Sequence, residues 1–341
     1  MLAKKTIIPT RNIGPIKIIG SEVDAEVRVP LATFETPLWP SVNRGARISR
    51  AAGGINVEII RDCMTRSILL EGPDVSYVAK ILIELPAKRE QFKDAVKQTS
   101  CFAKFQDWHA QVIGNLLYLR LSFNCADAAG HNMSTKAAEA ILDWLLNQYT
   151  KLKYVSISGN YCVAKKVSAV NGILGRGKYV VAELLLKRSL CIEQLRSTPE
   201  KIVELNIKKN LLGSIISGGV CSANAHVANM LLAFYLATGQ DAANLVEGSQ
   251  GITHAEVRDT DLYFSVTLPN VIVGTIGNGK HFDFAKDNLQ ALGCLEQRDL
   301  GKNSRRLAII ATAVVLCGEL SLLAAQTNRG ELMLSHVQME R

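Results

Sequence analysis

Ser67-Ile68-Leu69-Leu70-Glu71-Gly72-Pro73-Asp74-Val75 is where this chain changes character. Before it, through about Arg66, the sequence is rich in Pro and Gly and carries β-like pieces such as Ala25-Glu26-Val27-Arg28-Val29. From Ser67 onward strand and helix periods alternate closely. Ile68-Leu69-Leu70 reads as a strand, Val75 to Ile83 and Glu90 to Lys97 as helices, and Leu116 to Phe123 as a second strand. A helix from Ser134 to Tyr149 and a strand from Tyr154 to Ser158 close the segment. Strands and helices mixed in this way predict a compact α+β module, residues 67–158, inserted into a larger domain made of 1–66 and 159–341.

The larger part is helix-dominated after residue 158. Pro199 to Leu211 reads as one helix, and Ser222 to Thr238 as a second that is apolar around most of its circumference. Such a helix belongs at the centre of a domain. Gly239 suits the C′ position that ends it, which leaves Asp241 just beyond the terminus. Asp261 to Leu268 alternates as a strand, and Ser304 to Gln326 forms the last long helix. The expected fold class is therefore α+β, with a large helix-centred domain and a small inserted one.

Composition narrows the function. The chain has 341 residues, 48% hydrophobic and 21% charged, which describes a globular protein with a substantial core. Its formal charge of +8 comes from scattered basic residues with no run of five, so nucleic acid is not the expected partner and small polyanions are. Eight cysteines occur singly, without C-x-x-C spacing, as reduced core thiols of a cytoplasmic protein; no metal site is expected. The apolar part of the amino terminus is too short for a signal peptide. Leu307 to Ala325 is interrupted by Gly318, Glu319 and Ser321, so it reads as a buried helix and not as a membrane span.

The chemistry concentrates in Ser158-Gly159-Asn160-Tyr161-Cys162-Val163-Ala164-Lys165-Lys166, followed by Gly175-Arg176-Gly177-Lys178. Adjacent ammonium groups repel, and burial penalises both, so the pair seeks an anion such as a carboxylate or a developing alkoxide. A solvated basic loop is the plainer reading. Three other titratable residues stand out, each with its own plain alternative. Glu35 is otherwise a loop carboxylate, and His336 a solvated tail histidine. Asp241 lies where the helix dipole disfavours an acid, which implies a salt bridge or a raised pKa.

His226 and Asn229 share one helical face at i, i+3, facing either satisfied core partners or a ligand. Asp127-Ala128-Ala129-Gly130-His131-Asn132-Met133 stands between a strand and a helix, a place for a phosphate or ribose, but it has no G-x-G-x-x-G fingerprint. Gly274-Thr275-Ile276-Gly277-Asn278-Gly279 is a phosphate loop or a plain turn.

Taken in order, these blocks resemble the 3-hydroxy-3-methylglutaryl-CoA reductase family, from about Val29 to His336. Asn43-Arg44-Gly45, Met64-Thr65-Arg66, Asn210-Leu211-Leu212-Gly213-Ser214, Asn224 to Asn229, Ala237 to Asp241 and Gly318-Glu319-Leu320-Ser321-Leu322 carry it alongside the lysine loop. The resemblance is nearer the class of eukaryotes and archaea than the other bacterial class.

It implies a four-electron reduction of the CoA thioester to mevalonate and free CoA with two NADPH, NADH being the other possible donor. It implies Lys165 stabilising the oxyanion, Glu35 giving it a proton, Asp241 tuning both, and His336 protonating the departing thiolate. Arg66, Ser158, Lys166 and Lys209 would hold the substrate, with His226 and Asn229 in support. Ser100, Asp127, Gly130, Asn132 and Arg341 would serve the cofactor on a ferredoxin-like small domain. The active site would form between two copies of the chain in a homo-oligomer.

Two departures qualify the likeness. The family's lysine pair is preceded by Asp, and here by Ala164; the family's cofactor loop Gly-Asp-Ala-Met-Gly-Met-Asn-Met is Ala126 to Met133, with His131 in place of a methionine. A weakly active homologue that binds CoA esters or nucleotides, or a reductase of another acyl-CoA, is the alternative that these changes keep in view.

Overall fold

The computed structural model describes residues 6–333 and 337. Strands β1 (Thr10–Ile19) and β2 (Ala25–Ala32) pair antiparallel and lead into helix α1 (Leu38–Ala51) and the 17-residue strand β3 (Ile55–Glu71). Then come α2 (Val75–Glu84), α3 (Arg89–Lys97), β4 (Lys104–Ile113), β5 (Leu116–Asn124), α4 (His131–Gln148) and β6 (Lys153–Ser156). The chain continues through α5 (Ala169–Leu174), β7 (Gly177–Leu186), α6 (Arg188–Leu195), α7 (Pro199–Leu205), α8 (Gly213–Ile216), α9 (Val227–Ala237) and α10 (Leu245–Gly248). It ends with β8 (Ile252–Arg258), β9 (Asp261–Val271), α11 (Asp283–Ala291) and α12 (Lys302–Gln326).

The strand β3 joins two sheets. Its first half pairs with β7 from Asn56↔Glu183 to Cys63↔Gly177, in a sheet ordered β2-β1-β3-β7-β9-β8. Its second half pairs with β5 from Met64↔Phe123 to Glu71↔Leu116 and with β6 on the other side, so the second sheet runs β4-β5-β3-β6. The boundary expected between residues 66 and 67 thus falls inside one continuous strand, and the change of partner comes between Cys63 and Met64. Each sheet has its own core. Phe92, Phe105, Phe123 and the α4 residues Ile141 and Leu145 fill the smaller one, and Phe92 meets both Phe105 and Trp144 edge to face.

The larger core is built around α12 and α9. Mostly apolar after Arg306, α12 runs through the domain and is buried from Leu307 to Leu320. Burying a Leu or Ile fully contributes about 1.5–3 kcal/mol, so this helix is a principal source of stability. It is the one described helix long and apolar enough to cross a membrane, and 94% of its apolar window is buried within the protein. A side chain on Gly45 of α1 would put its Cβ 2.1 Å from the Cys317 carbonyl oxygen, so the close α1–α12 crossing requires glycine there. All eight cysteines are free thiols, six of them buried.

Three local readings change. The helix expected from Ser222 starts only at Val227, because Ala225 and His226 turn their N–H groups onto the Glu319 carboxylate. The helix expected from Pro199 to Leu211 is α-helical only to Leu205 and continues as a π-helical stretch, Asn206–Leu212. Helix α1 went unforeseen behind Pro37 and Pro40, since its start has no side-chain capping bond to mark it.

Candidate functional site

The lysine loop leaves β6 and enters α5. Lys165 Nζ lies 2.7 Å from Asp241 Oδ2, and both side chains are about half exposed at 45% and 46%. The salt-bridge reading of Asp241 therefore holds. Burial pushes the Asp241 carboxyl up, but the Lys165 ammonium and the Ala243 N–H outweigh it and hold the group below its ordinary value. It stands beyond Gly239, the left-handed residue at C′ of α9, and caps a short 3₁₀ turn.

Lys165 and Asp241 line a cavity of roughly 430 Å³ whose other walls are residues 128–133, Ile276, Gly277, Asn278 and Lys280. Gly130 is the N-cap of α4 and leaves the first-turn N–H groups without a side-chain cap, so a helix N-terminus suited to an anion opens here. The glycine-rich loop packs on this segment. A Cβ on Gly274 would sit 2.3 Å from Ala129 N, and Thr275 N–H donates to Asp127 O at 2.8 Å.

Two titratable groups of this cavity have no role assigned by the sequence. Lys280 Nζ donates to Gly239 O at 2.8 Å and to Asn278 O at 3.3 Å; burial pushes the ammonium down to about 8, against the pull of Asp241. His131 Nε2 meets Asn244 Oδ1 at 3.0 Å. Burial and the nearby Arg176 push the imidazole down to about 4, so it is neutral at neutral pH.

Glu35, His226 and Asn229 line a different cavity, of roughly 340 Å³, with Arg44, Ser321 and Glu331 on its wall. His226 is the N-cap of α9, and Glu319 explains its placement. That carboxylate is fully buried and accepts the Ala225 N–H at 2.8 Å, the His226 N–H at 2.6 Å and the Thr253 hydroxyl at 2.8 Å. His226 Nε2 is 3.0 Å from Gly318 O, a carbonyl, which assigns the proton to Nε2 and leaves Nδ1 to accept from Asn229 Nδ2 at 3.4 Å. Lys209 rises from the π-helical stretch and donates to Asn210 Oδ1 at 2.9 Å. Burial lowers its pKa, with Glu319 opposing. A carboxylate and a row of buried asparagines in an apolar domain are the signals that could have marked this support; Asn206 bonds Asn210 and the Thr253 carbonyl.

The two cavities share no lining residue among those described. A single chain thus pairs Lys165 with Asp241 and groups Glu35 with His226 and Asn229, but leaves the two sets apart. Of the other expected residues, Arg66 is half-buried on β3, and its Nε lacks a partner. Ser158 and Lys166 are exposed on the loop, and Ser100 Oγ accepts the Phe102 N–H at 3.1 Å. Asn132 is exposed at the start of α4. Asp127 has both carboxylate oxygens engaged at the α12 N-terminus, by Gly301 N and Ser304 N at 2.9 Å each. His336 and Arg341 lie outside the described residues.

The fold matches the class II 3-hydroxy-3-methylglutaryl-CoA reductase from Streptococcus pneumoniae, solved bound to NADPH, with a TM-score of 0.76 at 17% identity over 96% of this chain and 86% of that one. The family model described as hydroxymethylglutaryl-coenzyme A reductase matches residues 5–341, and the chain belongs to that family. The 3-hydroxy-3-methylglutaryl-coenzyme A reductase of Aeropyrum pernix is 40% identical over 98% of this chain and 79% of its own length. That of Pyrococcus abyssi is 41% identical over 93% and 78%, and reductase 1 of Oryza sativa subsp. japonica 42% over 98% and 63%.

Proposed function

We propose that this chain reduces 3-hydroxy-3-methylglutaryl-CoA to mevalonate and free CoA, using two NADPH, at a site completed between two copies of the chain. The observation that carries the reading is the division of the polar residues: the Lys165–Asp241 pair faces one cavity, and Glu35 with His226 faces another. Bringing the lysine loop of one copy to the Glu35 cavity of its neighbour assembles an electrophile, an acid and their supports. The inserted unit is then the cofactor module. Its β-α-β-β-α-β order and β6-β3-β5-β4 sheet support a ferredoxin-like assignment.

The uncapped α4 N-terminus and the loop that Gly274 lets approach it fit a dinucleotide phosphate, with Gly130 and Asn132 at that terminus and Lys280 adding positive charge. Asp127 serves there indirectly, by tying its loop to α12. Ser100 and Arg341 complete the proposed cofactor contacts. When bound, NADPH supplies a hydride at each of two steps.

The chain's own groups do the rest. Lys165 stabilises the negative charge on the substrate oxygen, and Asp241 at 2.7 Å holds that ammonium in place. The oxyanion re-forms a carbonyl as its C–S bond breaks, and His336 protonates the leaving thiolate to free CoA. Glu35 gives its proton to the alkoxide that the second reduction leaves on that oxygen. Arg66, Ser158, Lys166 and Lys209 hold the substrate's carboxylate and hydroxyl, and His226 with Asn229 supports Glu35.

The test follows NADPH oxidation against thiol release with the purified protein. Two NADPH consumed per CoA thiol released, and mevalonate as product, are expected. Binding of the CoA ester without oxidation, or oxidation with another acyl-CoA only, would favour the weakly active or altered-substrate alternatives.

A further inference from the structure

The lysine loop is held in a conformation that its residues resist. Asn160, Val163 and Lys165 have φ of 57°, 43° and 56°. Asparagine accepts the left-handed region, but β-branched valine does not, and such residues persist only where their surroundings over-determine them. The two non-asparagine residues flank Ala164, and each is tied to a buried guanidinium through one intermediary.

Arg120, 2% exposed, donates from Nη2 to Asn171 Oδ1 at 3.1 Å, and Asn171 Nδ2 donates to Val163 O at 2.8 Å. Arg176, 1% exposed, donates from Nη1 to Glu247 Oε1 at 2.8 Å, and that same oxygen accepts the Lys165 N–H at 3.0 Å. At the far end of the loop Gln250 Nε2 donates to Ser168 O at 2.9 Å.

Stability alone does not account for these groups. Arg120 Nε, Arg176 Nε and Glu247 Oε2 are buried without a hydrogen-bond partner. Buried charges left partly unsatisfied are poor stabilisers, and apolar side chains of similar volume often do better in their place. The bonds these groups do make run to the strained backbone and to Gly175 at the end of α5.

We propose that Arg120–Asn171 and Arg176–Glu247 are positioning relays, which fix the backbone on either side of Ala164 and thereby aim the Lys165 ammonium into the reaction cavity. None of the four need touch the substrate. The inference rests on Lys165 being the group that stabilises the oxyanion. A catalytic group displaced by about 1 Å loses on the order of 100-fold in rate, so a loop tied at two points has a kinetic purpose.

The experiment uses the full chain with Glu247→Ala, Glu247→Gln, Asn171→Ala and Lys165→Ala. Glu247→Ala and Asn171→Ala are expected to lower kcat about 10- to 100-fold while the NADPH KM stays within about twofold. Glu247→Gln, which keeps the accepting oxygen, should recover kcat to within about threefold of the parent.

Cys162 reports on the loop directly, because it immediately precedes the tethered Val163 and is 1% exposed. In a Cys101→Ser, Cys221→Ser background, 5,5′-dithiobis(2-nitrobenzoate) should spare Cys162 in the parent and label it in Glu247→Ala, while circular dichroism shows both proteins folded. If Glu247→Ala does not fold, Asn171→Ala, which removes no charge, gives the same reading. Unchanged kcat in a folded relay variant, or kcat lost with Cys162 still protected, overturns the relays. If Lys165→Ala retains reduction, the catalytic reading and the relays fall together; if it is dead while the relay variants keep full kcat, only the relays fall.

Discussion

The two cavities are built on opposite principles. Around Glu35 the polar groups rest on the core: the buried Glu319 fixes the start of α9, and His226 is bonded at both ring nitrogens. Around Lys165 the ammonium projects from a strained loop, and its ion pair with Asp241 is half exposed. The proposed site between two copies would account for the contrast. The half that receives would be rigid and finished in one chain, whereas the half that is inserted would stand out from its own core, with its amines facing water until the partner covers them.

Mixing variants is the severest test of that division. Lys165→Ala and Glu35→Gln, each alone, should lower kcat by at least about 100-fold. Unfolded and refolded together at equal amounts, they should recover roughly a quarter of the parent activity, because half the dimers would then pair one doubly damaged site with one intact site. No recovery, with exchange confirmed by mass-tagged subunits, would place both residues in the same half.

The receiving half should break through stability. Glu319→Ala strands the Ala225 and His226 N–H groups in a buried place, and we expect it to cost about 2–4 kcal/mol by urea unfolding. Lys165→Ala, on the projecting half, should shift stability by no more than about 1 kcal/mol, as befits a half-exposed pair. Equal costs at the two positions would remove the contrast.

This asymmetry also decided what the sequence could reveal. Lys165, Asp241 and Glu35 are conspicuous because charged residues in glycine- and proline-bearing loops stand out from their neighbours. The apolar periods of α12 and of the strands and helices in 67–158 were legible for the same reason, since burial writes itself into spacing. Glu319 and Glu247 were not legible as anchors. Each is a single polar letter within an apolar or helical pattern, and its meaning depends on which backbone N–H groups the tertiary fold brings to it. The π-helical turn that lifts Lys209 and the passage of β3 through both sheets are likewise products of packing, invisible to local propensity.

Ala164 gives a smaller effect on the inserted half. The family's loop has Asp at this place, and here the half-buried alanine sits between two strained residues. Ala164→Asp should add a hydrogen-bond acceptor for the substrate hydroxyl and lower its KM by about 5-fold or more, since such bonds contribute about 1–3 kcal/mol. An unchanged KM would mean that Lys166 and Arg66 already define the substrate's position.

The smallest effect is in pH. Burial sets Lys280 at about 8, while His131, at about 4, and Asp241, held below its ordinary value, do not change charge above pH 6. The Lys280 ammonium is thus charged at pH 7 and lost through pH 8–9, so the NADPH KM should rise by about 2- to 5-fold between pH 7 and 9. Stability runs the other way. The folded pKa lies below the ordinary lysine value of about 10.4, so the unfolded chain binds more protons between roughly pH 8 and 10. The penalty for burying the charge is therefore complete below about pH 8 and is relieved as pH rises through that window. Lys280→Met should remove both slopes together, and the Glu35 cavity, which Lys280 does not line, should leave the CoA-ester KM of that variant unchanged at pH 7.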